Sequence, residues 1–195
     1  MATCVAFLRG INVGKAKRIA MADLRALVEE LGCTNVRTLL NSGNVVFDAD
    51  RPNVGRLAAG IESAIKGAAG FTSSVVVITA ADLDAIIRAN PLLGVAKDPS
   101  RHLVAFVSHA GVLKQAGVLL HPSWKPDAIA VGPKAAYFWC ANGLIDSRLM
   151  KEFARLAGDA ATTRNWATVL KLQALAGGKK TPARRQVRWK DARQS

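Results

Sequence analysis

The sequence predicts an α+β protein of two βαββαβ-type halves, the second degenerate, followed by a last helix and a basic tail. Three observations lead there. Short β-branched or apolar runs alternate with stretches of helical period up to residue 79. Those runs come in the order strand, helix, strand, strand, helix, strand. The same rhythm returns, less clearly, between residues 80 and 178.

Thr3 to Leu8 is an apolar run that reads as a buried first strand. A helix follows over Met21 to Leu31, with Met21, Leu24, Leu27, Val28 and Leu31 on one face and Gly32 as its stop. Val36 to Leu40 and Val45 to Asp48 are strands joined by Asn41-Ser42-Gly43-Asn44, whose residues tolerate positive φ in a hairpin turn. Asn53 caps a helix that buries Val54, Leu57, Ile61 and Ile65. Ser74 to Ile78 is a β-branched fourth strand. Thr79 to Asp82 resembles a capping box, and Asn90-Pro91 stops the helix it opens. The Pro- and Gly-containing segment Leu92 to Ser100 is the expected joint between halves.

In the second half, Leu103 to Val107 is a strand and Val112 to Leu120 a weak helix broken at Gly117. Ala128 to Val131 and Ala135 to Cys140 form a hairpin around Gly132-Pro133, and Ser147 to Ala157 is a helix. No closing strand is evident. Thr162 reads as the N-cap of a last helix with Trp166, Val169, Leu170 and Gln173 on one face, ended by Gly177-Gly178. The expected domains are therefore 1–79, 80–178 and a disordered basic tail at 179–195.

The first-half order is that of the ferredoxin-like split βαβ unit. There the first two strands run parallel with the third between them. The loop at Arg9 and the turn at Asn41 then leave the sheet at the same edge, roughly 10 Å apart.

Half of the 195 residues are hydrophobic, enough for a substantial core. The longest charge-free run, Gly67 to Ala81, is broken by Thr72, Ser73 and Ser74 and falls short of the roughly 20 apolar residues of a membrane span. Arg9 interrupts the first apolar run, which also lacks a basic leader, so a signal peptide is not expected. Cys4, Cys33 and Cys140 are odd in number and far apart, which argues for a reducing, cytoplasmic setting and against a disulfide scaffold or zinc site. Net charge is +13, and both body and tail are basic, so polyanions are the expected partners.

From Arg9 to Arg18 the chain holds Arg9, Lys15, Lys17 and Arg18 with no acid, and Gly10 and Gly14 let backbone N–H groups approach a ligand. Gly10-x-x-x-Gly14-Lys15-Ala16 is not a P-loop, since its spacing is wrong and Ala replaces the magnesium-binding hydroxyl. G-x-G-x-x-G is absent. Arg164 falls in the first turn of the expected last helix, an unfavourable place that an anion at the helix N-terminus would explain. His102, His109 and His121 lie in no catalytic pattern, and no metal-ligand or paired-carboxylate spacing occurs.

Three stretches, Phe7-Leu8-Arg9-Gly10-Ile11-Asn12-Val13-Gly14, Asn41-Ser42-Gly43-Asn44-Val45 and Thr162-Thr163-Arg164-Asn165-Trp166, resemble the hallmarks of the bacterial family called domain of unknown function 1697. Met21-Ala22-Asp23-Leu24 fits as well, and the resemblance spans about residues 3 to 178. It implies an α+β fold of two ferredoxin-like halves and carries over no catalytic role. Members of that family usually have a second Gly where this chain has Lys15.

Grouping the three stretches gives an expected ligand site of Arg9, Gly10, Asn12, Gly14, Lys15, Asn41, Ser42, Asn44, Thr163, Arg164 and Asn165. Arg9, Lys15 and Arg164 would neutralise phosphate, and the asparagines would bond a base or sugar. The expected ligand is nucleic acid or a nucleotide. The alternative is an enzyme acting in the same cleft on a small phosphorylated or carboxylated substrate, and a third option is an interaction domain that works through its tail. No cofactor and no metal are expected, and the sequence leaves the oligomeric state open.

Overall fold

The structure is a computed structural model and describes residues 1–14 and 16–178. The expected tail at 179–195 lies outside the described residues. The chain runs β1 (Ala2–Leu8), α1 (Met21–Glu30), β2 (Thr34–Leu39), β3 (Asn44–Ala49), α2 (Val54–Ala69), β4 (Val75–Thr79) and α3 (Ala80–Arg88). It continues with β5 (His102–Val107), α4 (Ala110–Ala116), β6 (Ala128–Val131), β7 (Ala135–Trp139), α5 (Arg148–Ala157), β8 (Ala161–Asn165) and α6 (Trp166–Gly177).

These elements make an α+β protein with two four-stranded antiparallel sheets, ordered β2-β3-β1-β4 and β6-β7-β5-β8. The second order repeats the first strand for strand. Among the described residues no helix is long and apolar enough to cross a membrane.

Period-two alternation in the central strands divides the core into three layers. Cys4, Ala6 and Leu8 of β1 pack under α1 and α2 with Ile61 and Ile65. Val5 and Phe7 point the other way, into a layer shared with Val104 and Phe106 of β5. The rings of Phe7 and Phe106 stack there at 4.0 Å and 13°. Leu103 and Ala105 face a third layer beneath α4 and α5, with Phe138 and Phe153. A strand buried on both faces reads as a continuous apolar run, as Thr3 to Leu8 does.

The helices that follow the last strand of each sheet help close the middle layer. Leu83 and Ile86 of α3 enter it, and the Tyr137 hydroxyl of β7 donates to Ile86 O at 2.7 Å. Trp166, Val169 and Leu172 of α6 enter it beside Val46 of β3. Gln173 Nε2 of α6 donates to Asp84 Oδ1 of α3 at 2.8 Å. Helix α6 thus lies against β1 and β3 of the first sheet, while α3 packs on β1 and β4 and meets β7 through Tyr137.

Several expectations are corrected. A closing strand does exist: Ala161–Asn165 pairs with β5 in the register Val104↔Arg164. The N-cap of the last helix is Asn165, whose side chain accepts from Thr168 N, so Thr162 is a strand residue. Leu170 is exposed because Trp166, Val169 and Leu172 set the buried face. Leu31 is exposed as the C-cap of α1. The weak helix ends at Ala116 and tightens into a 3-10 turn at Gly117–Leu119.

His102 is 1% exposed and stacks on Trp166 at 4.8 Å. Its Nε2 lies 3.0 Å from Asn90 Nδ2, and Asn90 Oδ1 accepts from Leu92 N. The Asn90 amide therefore donates, and the imidazole accepts as the neutral ring. Burial holds its pKa below the ordinary 6.5. The unfolded chain then binds more protons below that value, so this contribution to stability is complete above pH 6.5 and is lost as pH falls. Urea denaturation from neutral pH to about pH 5 will show declining stability, and His102→Gln will remove the part of the slope that begins at the imidazole value.

Candidate functional site

The site begins where β1 ends. Leu8 N donates to Gly43 O at 2.8 Å and Arg9 N to Ser74 O at 2.9 Å, so the chain leaves the sheet between the β2–β3 turn and the start of β4. Gly10 and Asn12 then take left-handed φ values of 65° and 55°. Asn12 closes the neck of the loop. Its Nδ2 donates to Ile19 O and Asn41 O at 3.0 Å each, and its Oδ1 accepts from Ile19 N. Ile11 and Ile19 anchor both sides in the core, while Gly14, Lys17 and Arg18 are exposed. Lys15 lies outside the described residues.

The Asn41–Asn44 turn stands beside this neck, as the topology predicts. Gly43 has φ 75°, and a Cβ there would sit 2.7 Å from Leu8 Cβ. Only glycine lets the turn lie against β1. Asn41 and Ser42 are exposed. Asn44 is 0% exposed and corrects the expectation that it meets a ligand. Its Nδ2 donates to Leu39 O and Ser42 Oγ, and its Oδ1 accepts from Arg164 Nε.

Arg164 is a β8 residue just before the N-cap of α6, not a residue of the helix's first turn. Its charge is met another way. Besides Asn44, Nη1 donates to Thr162 Oγ1 and Thr163 O at 2.8 Å each. Nη2 donates to Leu8 O at 2.7 Å and Ser42 O at 3.2 Å. The carbon of the guanidinium lies 5.6 Å from the Phe7 ring centre. Every nitrogen has a protein acceptor, and among the described residues Arg164 has no ion-pair partner. Burial pushes its pKa down to about 10, which leaves it charged at neutral pH.

Arg9 reaches the same segment from the opposite half. Its Nη1 donates to Gly158 O and Ala161 O, and its Nε lies 3.5 Å from Asp159 Oδ1. Its Nη2 makes no hydrogen bond among the described residues.

Arg9 and Gly10 form a ridge between two clefts of about 460 Å³ each. The first has Lys151, Thr162, Thr163 and Arg164 on its polar side and Leu144, Ile145, Met150, Phe153, Ala154 and Ala157 on its apolar side. No carboxylate lines it. The second is lined mainly by hydroxyls and lysines.

The structure therefore brings together Arg9, Gly10, Thr163 and Arg164 around the first cleft. It uses Asn12, Asn44 and Arg164 as internal bonds and Asn165 as a helix cap. Sequence reasoning missed Lys151, Leu144 and Ile145, which belong to the β7–α5 connection and α5. An Ile145 that is 82% exposed was the available sign, but exposure is invisible in a sequence.

Among the described residues no three of His, Cys, Asp and Glu are placed to hold a metal ion. Burial pushes the Cys4 and Cys140 thiols up to about 11, far from the range of a reactive thiolate.

Arg164→Lys keeps the charge but cannot reach this set of acceptors. It will lower stability in urea denaturation by about 3 kcal/mol, because buried carbonyls and the Asn44 amide oxygen lose their donors. A variant as stable as wild type would show that these bonds do not hold the joint.

A comparison with curated proteins gave no match. Among solved structures, the conserved bacterial protein SP0830 from Streptococcus pneumoniae is similar, with a TM-score of 0.71 and 20% identity over 90% of this chain and 98% of that one. At that identity the likeness speaks to the fold. The model of the family described as "Protein of unknown function (DUF1697)" matches residues 1–137, which hold the Arg9 loop and the Asn41–Asn44 turn and stop short of Arg164. With that match over most of its length, the chain belongs to the DUF1697 family.

Proposed function

We propose that this protein binds a small phosphorylated ligand of nucleotide size in the first cleft. The observation that carries this is Arg9 Nη2, a guanidinium nitrogen with no partner among the described residues, on a cleft lined by Lys151 and Arg164 and by no carboxylate. The charge of Arg164 has only neutral acceptors, so its field reaches the cleft uncancelled. An anion there gains attraction from Lys151 and Arg164, and from Arg9 in competition with Asp159. The wall of Leu144, Ile145 and Ala154 suits an apolar group on the same ligand, such as a base.

A cleft of about 460 Å³ fits a small molecule better than a polymer strand. The basic tail, judged by its charge alone, would add non-specific affinity for polyanions. We read the two halves, 1–79 and 80–178, as ferredoxin-like units, which the repeated strand order supports. The free thiols of Cys4, Cys33 and Cys140 support a reducing, cytoplasmic setting.

Isothermal titration calorimetry with AMP and with inorganic phosphate tests the site. Arg9→Lys and Lys151→Ala will each weaken AMP binding about tenfold, the worth of one charge-assisted hydrogen bond. Lys151 is exposed, so Lys151→Ala will melt at the wild-type temperature. AMP binding at wild-type strength in both variants would place the site elsewhere.

A further inference from the structure

Arg9 and Gly10 line both clefts, and the second has a different chemistry. It carries Lys17, Lys66 and the hydroxyls of Ser63, Thr72 and Ser74. It also holds two carboxylates, against three cations: Glu62, whose Oε1 accepts from Val75 N at 2.7 Å, and Asp159, beside Arg9 Nε. Lys17 and Lys66 have no ion-pair partner among the described residues. Lys66 stands in the last turn of α2, where its charge offsets the negative end of the helix dipole.

The second cleft has no aromatic ring, and Ala59 is its one aliphatic side chain. A second base would find nothing to stack on there. A phosphate chain would find hydroxyl and ammonium donors. The ridge between the clefts is open: a Cβ on Gly10 would meet nothing within 4 Å, and the Gly10 N–H has no acceptor among the described residues. A chain of phosphates crossing it would pass the Gly10 amide and Arg9 Nη2, two free donors side by side in sequence.

We infer that the ligand is a nucleoside 5′-polyphosphate that straddles the Arg9–Gly10 ridge, with its nucleoside against Leu144 and Ile145 and its terminal phosphates between Lys17, Lys66 and Ser63. The assignment rests on the first cleft being the nucleotide site. A monophosphate occupies that cleft and the ridge. Each further phosphate reaches donors that only the second cleft supplies.

Calorimetry of the full chain with adenosine, AMP and ADP separates the two claims. Wild type will bind ADP about tenfold more tightly than AMP, as one added set of charge-assisted hydrogen bonds requires. The double variant Lys17→Ala, Lys66→Ala will bring the ADP to AMP ratio close to one. Lys171→Ala, on an exposed position of α6, will keep the wild-type ratio and so control for overall charge. If AMP binds and ADP gains nothing, or if the gain survives in the double variant, the polyphosphate assignment is overturned while the first-cleft site stands. If neither AMP nor ADP binds, the first-cleft reading falls, and this one with it.

Discussion

The guanidinium of Arg164 ties three pieces of chain that are far apart in sequence: the end of β1, the β2–β3 turn and its own strand β8. These pieces end in backbone carbonyls that point toward one another at the edges of two stacked sheets. Left alone they would be unsatisfied acceptors with little room for water. A planar cation with five N–H groups answers them at once, which a lysine could not do. The geometry of the Arg9 loop depends on this joint, because Leu8 and Gly43 set where the loop leaves the sheet.

A cost comes with that solution. A cation enclosed without a carboxylate keeps its charge, since burial brings its pKa only to about 10. The same property that makes Arg164 a good joint makes the adjacent cleft electropositive. Arg9 complements it, running from the first half to Gly158 and Ala161 of the second. One arginine is spent wholly on protein; the other retains a free nitrogen at the surface. Two residues of the same type thus differ in how fully the protein satisfies them.

The shared middle layer explains why the joint is so close. With α3 and α6 each entering the layer between the sheets, the Phe7–Phe106 stack is sealed on its flanks. β1 and β5 become two central strands facing one shared layer. The cleft at this seam draws both its walls from the second half and only the Arg9–Gly10 ridge from the first.

Much of this was legible in the residues alone. The apolar run Thr3 to Leu8, the caps at Asn53 and Thr79, and the turn at Asn41–Asn44 are local signals, and the structure bears them out. From the strand order followed the meeting of the Arg9 loop with the Asn41 turn, since parallel first and second strands must end on the same side. β8 was hidden because Thr162 and Asn165 both suit a helix cap, and only pairing with β5 chooses the extended form for Thr162 to Arg164. The roles of Asn44 and Arg164 were hidden for a related reason. A polar side chain in a turn looks solvated until a second sheet is laid over it, and which donors remain free is a property of the packed whole. Local propensity could announce where the polar residues cluster; the contact between two sheets, made by residues more than a hundred positions apart, decided which of them are bound internally and which stay free.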